Sequence, residues 1–333
     1  MKKGINRQKF IVYWLYTGLL MSMLIVVIGG ITRLTNSGLS MVEWELIMDM
    51  VPPVSESQWN NKFEDYKKFP EYKKYNQEMS ISEFKLIFFW EWLHRFIARL
   101  IGIVFIFPFI FFWMKNWINK KLKIRFIYLL LLGMLQAFLG AYMVNSGLEI
   151  GKVSHFRLAT HLSAAFILIS YIYWLILEIQ NRDTYSILKI NTLSKVLLFF
   201  ISIQVIYGAF VAGLNAGSYF SSKDGVLGNI FFYNTHDDKF DLLKNPNDVQ
   251  AFHRIFAWVV FTLAIYLWHI SKGTKMYKTI STLLFIIIIQ ISLGITTLLT
   301  KVDMNIALMH QLVAIFILIF TVKTIYLSSK KTQ

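Results

Sequence analysis

No cysteine occurs in the 333 residues. That absence excludes disulfides, iron–sulfur clusters, thiolate zinc sites and covalently attached c-type haem, so any bound metal has to rest on His, Met or oxygen ligands. Charge is scarce as well: Asp, Glu, Lys and Arg make up 16% of the chain, against 56% hydrophobic and 17% aromatic residues. Soluble domains carry about 25% charged residues, so this composition points to a chain that crosses a membrane many times. Proline is rare, and only Pro108 falls inside a long apolar run.

Runs long enough to cross ~30 Å of hydrocarbon occur at 10–31, 87–113, 126–145, 158–178, 196–214, 251–270, 279–299 and 306–327. They predict an all-α integral membrane protein of eight transmembrane helices. The first run is too long for a signal-peptide core and has no small-x-small cleavage site, so it reads as a retained span. The net charge of +15 is unevenly placed: segments on one side carry 18 Lys and Arg against 2 acids, those on the other 13 against 16. The basic side is the cytoplasmic one, which places both termini in the cytoplasm. A positive charge distributed in this way answers to a bilayer and not to nucleic acid.

Two connectors on the opposite side are long. The first, 32–86, mixes acids, lysines and aromatics and is expected to form an outer loop with one or two short helices. The second, 215–249, holds Gly217, Gly225, Gly228 and a group of Asp residues without a recognisable chemistry.

The chain repeats itself. His94-Arg95-Phe96-Ile97-Ala98 in the second span recurs as His253-Arg254-Ile255-Phe256-Ala257 in the sixth, and the neighbourhood of His161 in the fourth resembles that of His310 in the eighth. Gln136 and Gly140, Gln204 and Gly208, and Gln290 and Gly294 each stand four apart, and Asn36-Ser37-Gly38, Asn145-Ser146-Gly147 and Asn215-Ala216-Gly217 are expected to follow spans 1, 3 and 5. Two tandem four-helix halves related by a pseudo-two-fold axis are expected, 1–190 and 191–333.

All even-numbered spans run in the same direction, and His94, His161, His253 and His310 all fall within the first two turns of theirs, which places them at one depth near the outer leaflet. A single intramembrane His usually hydrogen-bonds to another helix. Four at matched depth instead suit axial ligation of haem between facing helices. His155, His236 and His269 lack the pattern. Arg95, Arg254, Arg157 and Lys301 lie where they could neutralise propionates or snorkel to headgroups. One position separates the halves: Glu91 precedes His94 by three residues, whereas Gln250 precedes His253. A carboxylate in one half only suggests a catalytic half and a redox half.

The stretch Glu91-Trp92-Leu93-His94-Arg95, the segment Gly29-Gly30-Ile31-Thr32-Arg33-Leu34-Thr35 with Ser37-Gly38-Leu39-Ser40, the paired His-Arg-x-x-Ala motifs and His310-Gln311 resemble the haem A synthase family over nearly the whole chain. The long first outer loop is similar to that of the branch shared by alphaproteobacteria and mitochondria. The resemblance implies that haem O is the substrate and that a ring methyl is oxidised twice, the geminal diol losing water to give the formyl group of haem A for terminal oxidases. It implies haem b in the C-terminal half on His253 and His310, with Arg254 nearby. His94 and His161 would flank the substrate haem, and Glu91 would be the catalytic acid. Haem O synthase is the expected partner, with a membrane or protein electron donor. Members with a cysteine pair in an outer loop differ from this chain, which has none. The expected location is a bacterial inner membrane, because no Arg- and Ser-rich transit segment precedes the first span. Two other readings remain open: a di-haem b-type cytochrome for electron transfer, which uses the same histidines, and a haem transporter or chaperone, which draws on the tandem repeats.

Overall fold

The computed structural model describes residues 2–43, 50–219 and 240–330. His236, Gly225, Gly228 and most of the Asp residues of the second outer loop lie outside these. The described residues form eleven helices and no strand: α1 Lys2–Leu34, α2 Glu56–Lys67, α3 Pro70–Tyr75, α4 Ile81–Met114, α5 Lys120–Ile150, α6 His155–Ile179, α7 Leu188–Gly213, α8 Ala216–Tyr219, α9 Pro246–Ser271, α10 Tyr277–Leu299 and α11 Met304–Ser328. Eight of them are long and apolar enough to cross a membrane, and they coincide with the eight runs of the sequence.

Several helices extend past the apolar runs because polar residues cap them. Ser80 and Glu83 form a reciprocal capping box that starts α4 six residues before the apolar run at 87. Asn119 opens α5, Asn245 with Pro246 opens α9, and Asp303 opens α11, each side chain accepting from backbone N–H groups of the first turn. The expectation that Asn145-Ser146-Gly147 forms a turn after the third span is corrected: all three are inside α5. The Ser146 hydroxyl bonds back to the Tyr142 carbonyl at 2.8 Å, and the helix instead ends at Gly151, which takes the left-handed φ of +80°.

The described chain packs as two compact units, one of Met1–Leu19 with Phe166–Gln333, the other Leu20–Ala165. In the first, Leu197 of α7, Leu267 of α9, Met276 before α10 and Ile280 of α10 share a buried apolar core. Asn191 near the start of α7 donates to the Ile325 carbonyl of α11 at 2.8 Å, closing one end of the bundle.

In the second unit, α2 and α3 pack on the amphipathic start of α4. Phe63 and Tyr66 stack on Phe84 with ring centroids 5.0 and 5.3 Å apart, and Trp59 meets Phe88 edge-on at 5.2 Å. The buried Tyr66 hydroxyl donates to Glu71 at 3.0 Å and accepts from Asn76 at 2.7 Å. Burial raises the Glu71 carboxyl to about 7, the Tyr66 bond opposing the shift, and burial likewise pushes the Tyr66 phenol up. Lys74 donates to the Ile150 carbonyl at 2.9 Å, fastening α3 to the end of α5. The one or two short helices expected in 32–86 are thus α2 and α3.

Candidate functional site

Each of the four histidines lies against a glycine of another helix. His94 of α4 meets Gly29 of α1, His161 of α6 meets Gly140 of α5, His253 of α9 meets Gly208 of α7, and His310 of α11 meets Gly294 of α10. A methyl carbon added at Gly140, Gly208 or Gly294 would stand 3.1, 3.2 or 3.0 Å from the facing imidazole Cε1, and one at Gly29 3.4 Å from His94 Nε2. The absence of a side chain therefore lets a flat ring rest on helix backbone. Within each unit the two histidines are close enough to interact electrostatically, His94 with His161 and His253 with His310.

The glutamines seen as a sequence repeat now have a place. Gln136 Nε2 donates to the main-chain carbonyl of His161 at 3.1 Å, and Gln204 Nε2 to that of His253 at 2.9 Å. All three amides also approach the ring Nε2 of their histidine, at 3.4, 3.5 and 3.2 Å for Gln136, Gln204 and Gln290, but Gln290 differs in its main-chain carbonyl, which accepts from His310 Nδ1 at 3.1 Å. A carbonyl can only accept, so Nδ1 of His310 carries the hydrogen and Nε2 keeps its lone pair. The spacing of these glutamines was visible in the sequence; that they reach the histidines was not.

Glu91 is buried, at 2% exposure, and so is Arg95, at 7%. Glu91 Oε1 accepts from Arg95 Nη2 at 2.5 Å, while Oε2 accepts from the Ser40 hydroxyl at 2.8 Å and the Met41 N–H at 2.9 Å. Arg95 in turn donates to the carbonyls of Met41 and Glu43 at 2.9 and 3.1 Å. The pair thus clips the segment after α1 to the head of α4. Gln250, 1% exposed, occupies the corresponding place in the other unit and donates to the Ala216 carbonyl at 3.3 Å. The fastening is common to both; the charge is not. Arg157 lies on the Tyr142 ring, 4.5 Å from its centroid, and the His155 ring lies tilted against that of Phe156, with centroids 4.1 Å apart.

A family model described as cytochrome oxidase assembly protein, COX15-CtaA, matches residues 12–322. The chain belongs to that family. Relatives in the cytochrome oxidase assembly family that carry the name heme A synthase include one from Flavobacterium johnsoniae, 40% identical over 98% of this chain and 99% of the relative. One from Agrobacterium fabrum is 38% identical over 97% and 91%, and one from Brucella ovis 36% over 95% and 90%.

The residues fit a haem. No group of three or more His, Cys, Asp or Glu that could hold a bare ion occurs among the described residues. Two imidazoles supply too few ligands for such an ion, yet are the number an iron needs when a porphyrin fills its plane. Unsatisfied polar atoms gather at the same places: Nδ1 of His161 and His253, and Oε1 of Gln136, Gln204 and Gln290, are buried without a hydrogen-bond partner. Such atoms cost about 1–3 kcal/mol each, and their concentration around His161, His253 and His310 marks these faces as ligand-facing.

Proposed function

We propose that this protein converts haem O to haem A, oxidising one ring methyl group to formyl. The observation that carries the reading is the two imidazole pairs, each without a third metal-binding side chain, in a chain whose relatives are named heme A synthase. Each of two hydroxylations converts one C–H of the same methyl carbon to C–OH. An oxidant of the dioxygen class supplies the oxygen atom, and its second atom leaves as water with two electrons from the donor and two protons. The geminal diol then loses water to leave the aldehyde. In this reading His94 and His161 flank haem O as substrate. His253 and His310 ligate a haem b, with Arg254 beside its propionates, and that haem supplies one-electron transfer when bound. Glu91 serves the oxidation from the head of α4, three residues from His94 and paired with Arg95.

The halves 1–190 and 191–333 then carry substrate and cofactor respectively, with the pseudo-two-fold relation the repeats suggest. We place the chain in a bacterial inner membrane with both termini cytoplasmic and the histidines toward the periplasmic leaflet. Haem O synthase delivers the poorly soluble substrate, and a membrane or protein donor supplies electrons. Co-expression with a haem O source, followed by extraction and mass analysis of the pigments, tests the reading. Haem A that disappears in His94→Ala and His161→Ala is the expected result, and haem O unchanged beside the intact protein refutes it.

A second reading, a di-haem cytochrome for electron transfer, gains from one observation: both carboxylate oxygens of Glu91 are taken up by Arg95, Ser40 and Met41, so its charge has a structural use without chemistry. Haem b in both sites after the same co-expression would favour it.

A further inference from the structure

Three imidazoles are seated by the same pair of residues and the fourth is not. Gln136 and Gly140, Gln204 and Gly208, and Gln290 and Gly294 are four residues apart, so each pair shares one helix face and presents it to a histidine. The glycine bares the backbone beneath the ring. The glutamine side chain holds the turn that carries His161 and His253 through their main-chain carbonyls, and at His310 the main-chain carbonyl of Gln290 takes the ring Nδ1–H. Outer partners of this kind fix the orientation of a metal-ligating imidazole.

On α1 the position four residues before Gly29 is Ile25, which has nothing to donate. Among the described residues no hydrogen bond reaches the His94 ring. Its seat is also the loosest of the four, at 3.4 Å against 3.0–3.2 Å. Its ion-pair neighbour Arg95 points the other way, to Glu91, Met41 and Glu43.

Building on the functional reading above, we infer that Gln136, Gln204 and Gln290 are positioning residues that lock three axial imidazoles, and that His94, seated on Gly29 alone, is the exchangeable ligand of the substrate haem. One face of an iron has to open before any small molecule can reach it. The fold leaves unlatched the face that α4 covers, and it latches both faces of the haem b site. The difference between the two sites thus includes the missing glutamine as well as the added carboxylate.

Carbon monoxide binding to the reduced, haem-loaded protein tests this, with the two haems told apart by their reduced absorption bands and by extracted pigment. In the unaltered chain CO displaces an imidazole from the substrate haem and leaves haem b closed. Ile25→Gln, which completes the missing pair opposite His94, slows that displacement at least about tenfold, in line with the roughly 10–100-fold effects of outer partners on metal sites. Gln204→Met, which keeps side-chain bulk but not the donor to the His253 carbonyl, opens haem b to CO, and Gln204→Asn restores part of the closure. With both haems bound, an unchanged CO rate in Ile25→Gln, or a haem b that stays closed in Gln204→Met, overturns the inference. Unaltered protein that binds no haem overturns the functional reading and this inference with it.

Discussion

Arg95 Nη2 lies 2.5 Å from Glu91 Oε1, one helical turn away, and both side chains are out of reach of solvent. A buried ion pair of this sort is poor evidence of net stability, but breaking it is costly because the remaining charge stays buried. Arg95→Met and Glu91→Ala should each destabilise the second unit by about 3–5 kcal/mol. The double variant should cost less than the sum. Thermal unfolding in detergent, arranged as a double-mutant cycle, checks this, and additive losses would show that the two side chains act separately.

Glu91→Gln separates charge from fastening. The amide oxygen can still accept from Met41 N–H and Ser40 while the amide NH2 then faces Arg95, so the variant should lose less stability than Glu91→Ala and still fold and bind haem. Haem A yield should fall by at least tenfold, a loss of about 1.4 kcal/mol or more in transition-state stabilisation. Pigment analysis of the loaded variant is the measurement, and full haem A yield would leave Glu91 with a purely structural part.

Adding a methyl group beneath a histidine should displace it. Gly294→Ala places a carbon 3.0 Å from His310 Cε1, and Gly140→Ala one 3.1 Å from His161 Cε1, so both should lose haem from their own unit and about 1–3 kcal/mol of stability. Gly29→Ala, at 3.4 Å, should be tolerated best. Haem-to-protein ratios from extracted pigment rank the three.

The α2–α3 segment should loosen as pH rises. Glu71 moves from an ordinary 4.5 to about 7 because burial penalises its charge. The folded chain therefore holds a proton that the unfolded chain has released between those values. The stabilisation is complete below 4.5 and is lost as pH climbs through 7. Amide exchange or limited proteolysis of 56–75 should speed up from pH 5 to pH 8 in the unaltered chain. Glu71→Gln, which keeps an acceptor for the Tyr66 hydroxyl, should flatten the profile.

Much of this architecture was legible in the residues. The eight apolar runs define the spans because hydrocarbon admits few alternatives to a helix, and His94, His161, His253 and His310 stood out because polar side chains are rare in such runs. Helix ends were less legible: Ser80–Glu83 extends α4 through a polar capping box, and Asn145-Ser146-Gly147, which has the composition of a turn, is carried inside α5 until Gly151 ends it. The Glu91 clip was hidden for another reason. Ser40 and Met41 lie about fifty residues away, and nothing in a short polar turn announces which distant carboxylate it will meet. The glutamine spacing was plain, but its purpose depends on which helix faces which.

The four glycine–imidazole seats give the chain a grain finer than its halves. Each seat needs two helices only, one donating a bare strip of backbone and the other a ring, so the smallest portable piece is a hairpin that offers half of an axial pair. A designer wishing to transplant the chemistry could copy a single hairpin, α10 with α11, and let self-association bring two rings together. Which glutamine or isoleucine is written one turn before the glycine would then decide whether the product stores an electron or admits a small molecule.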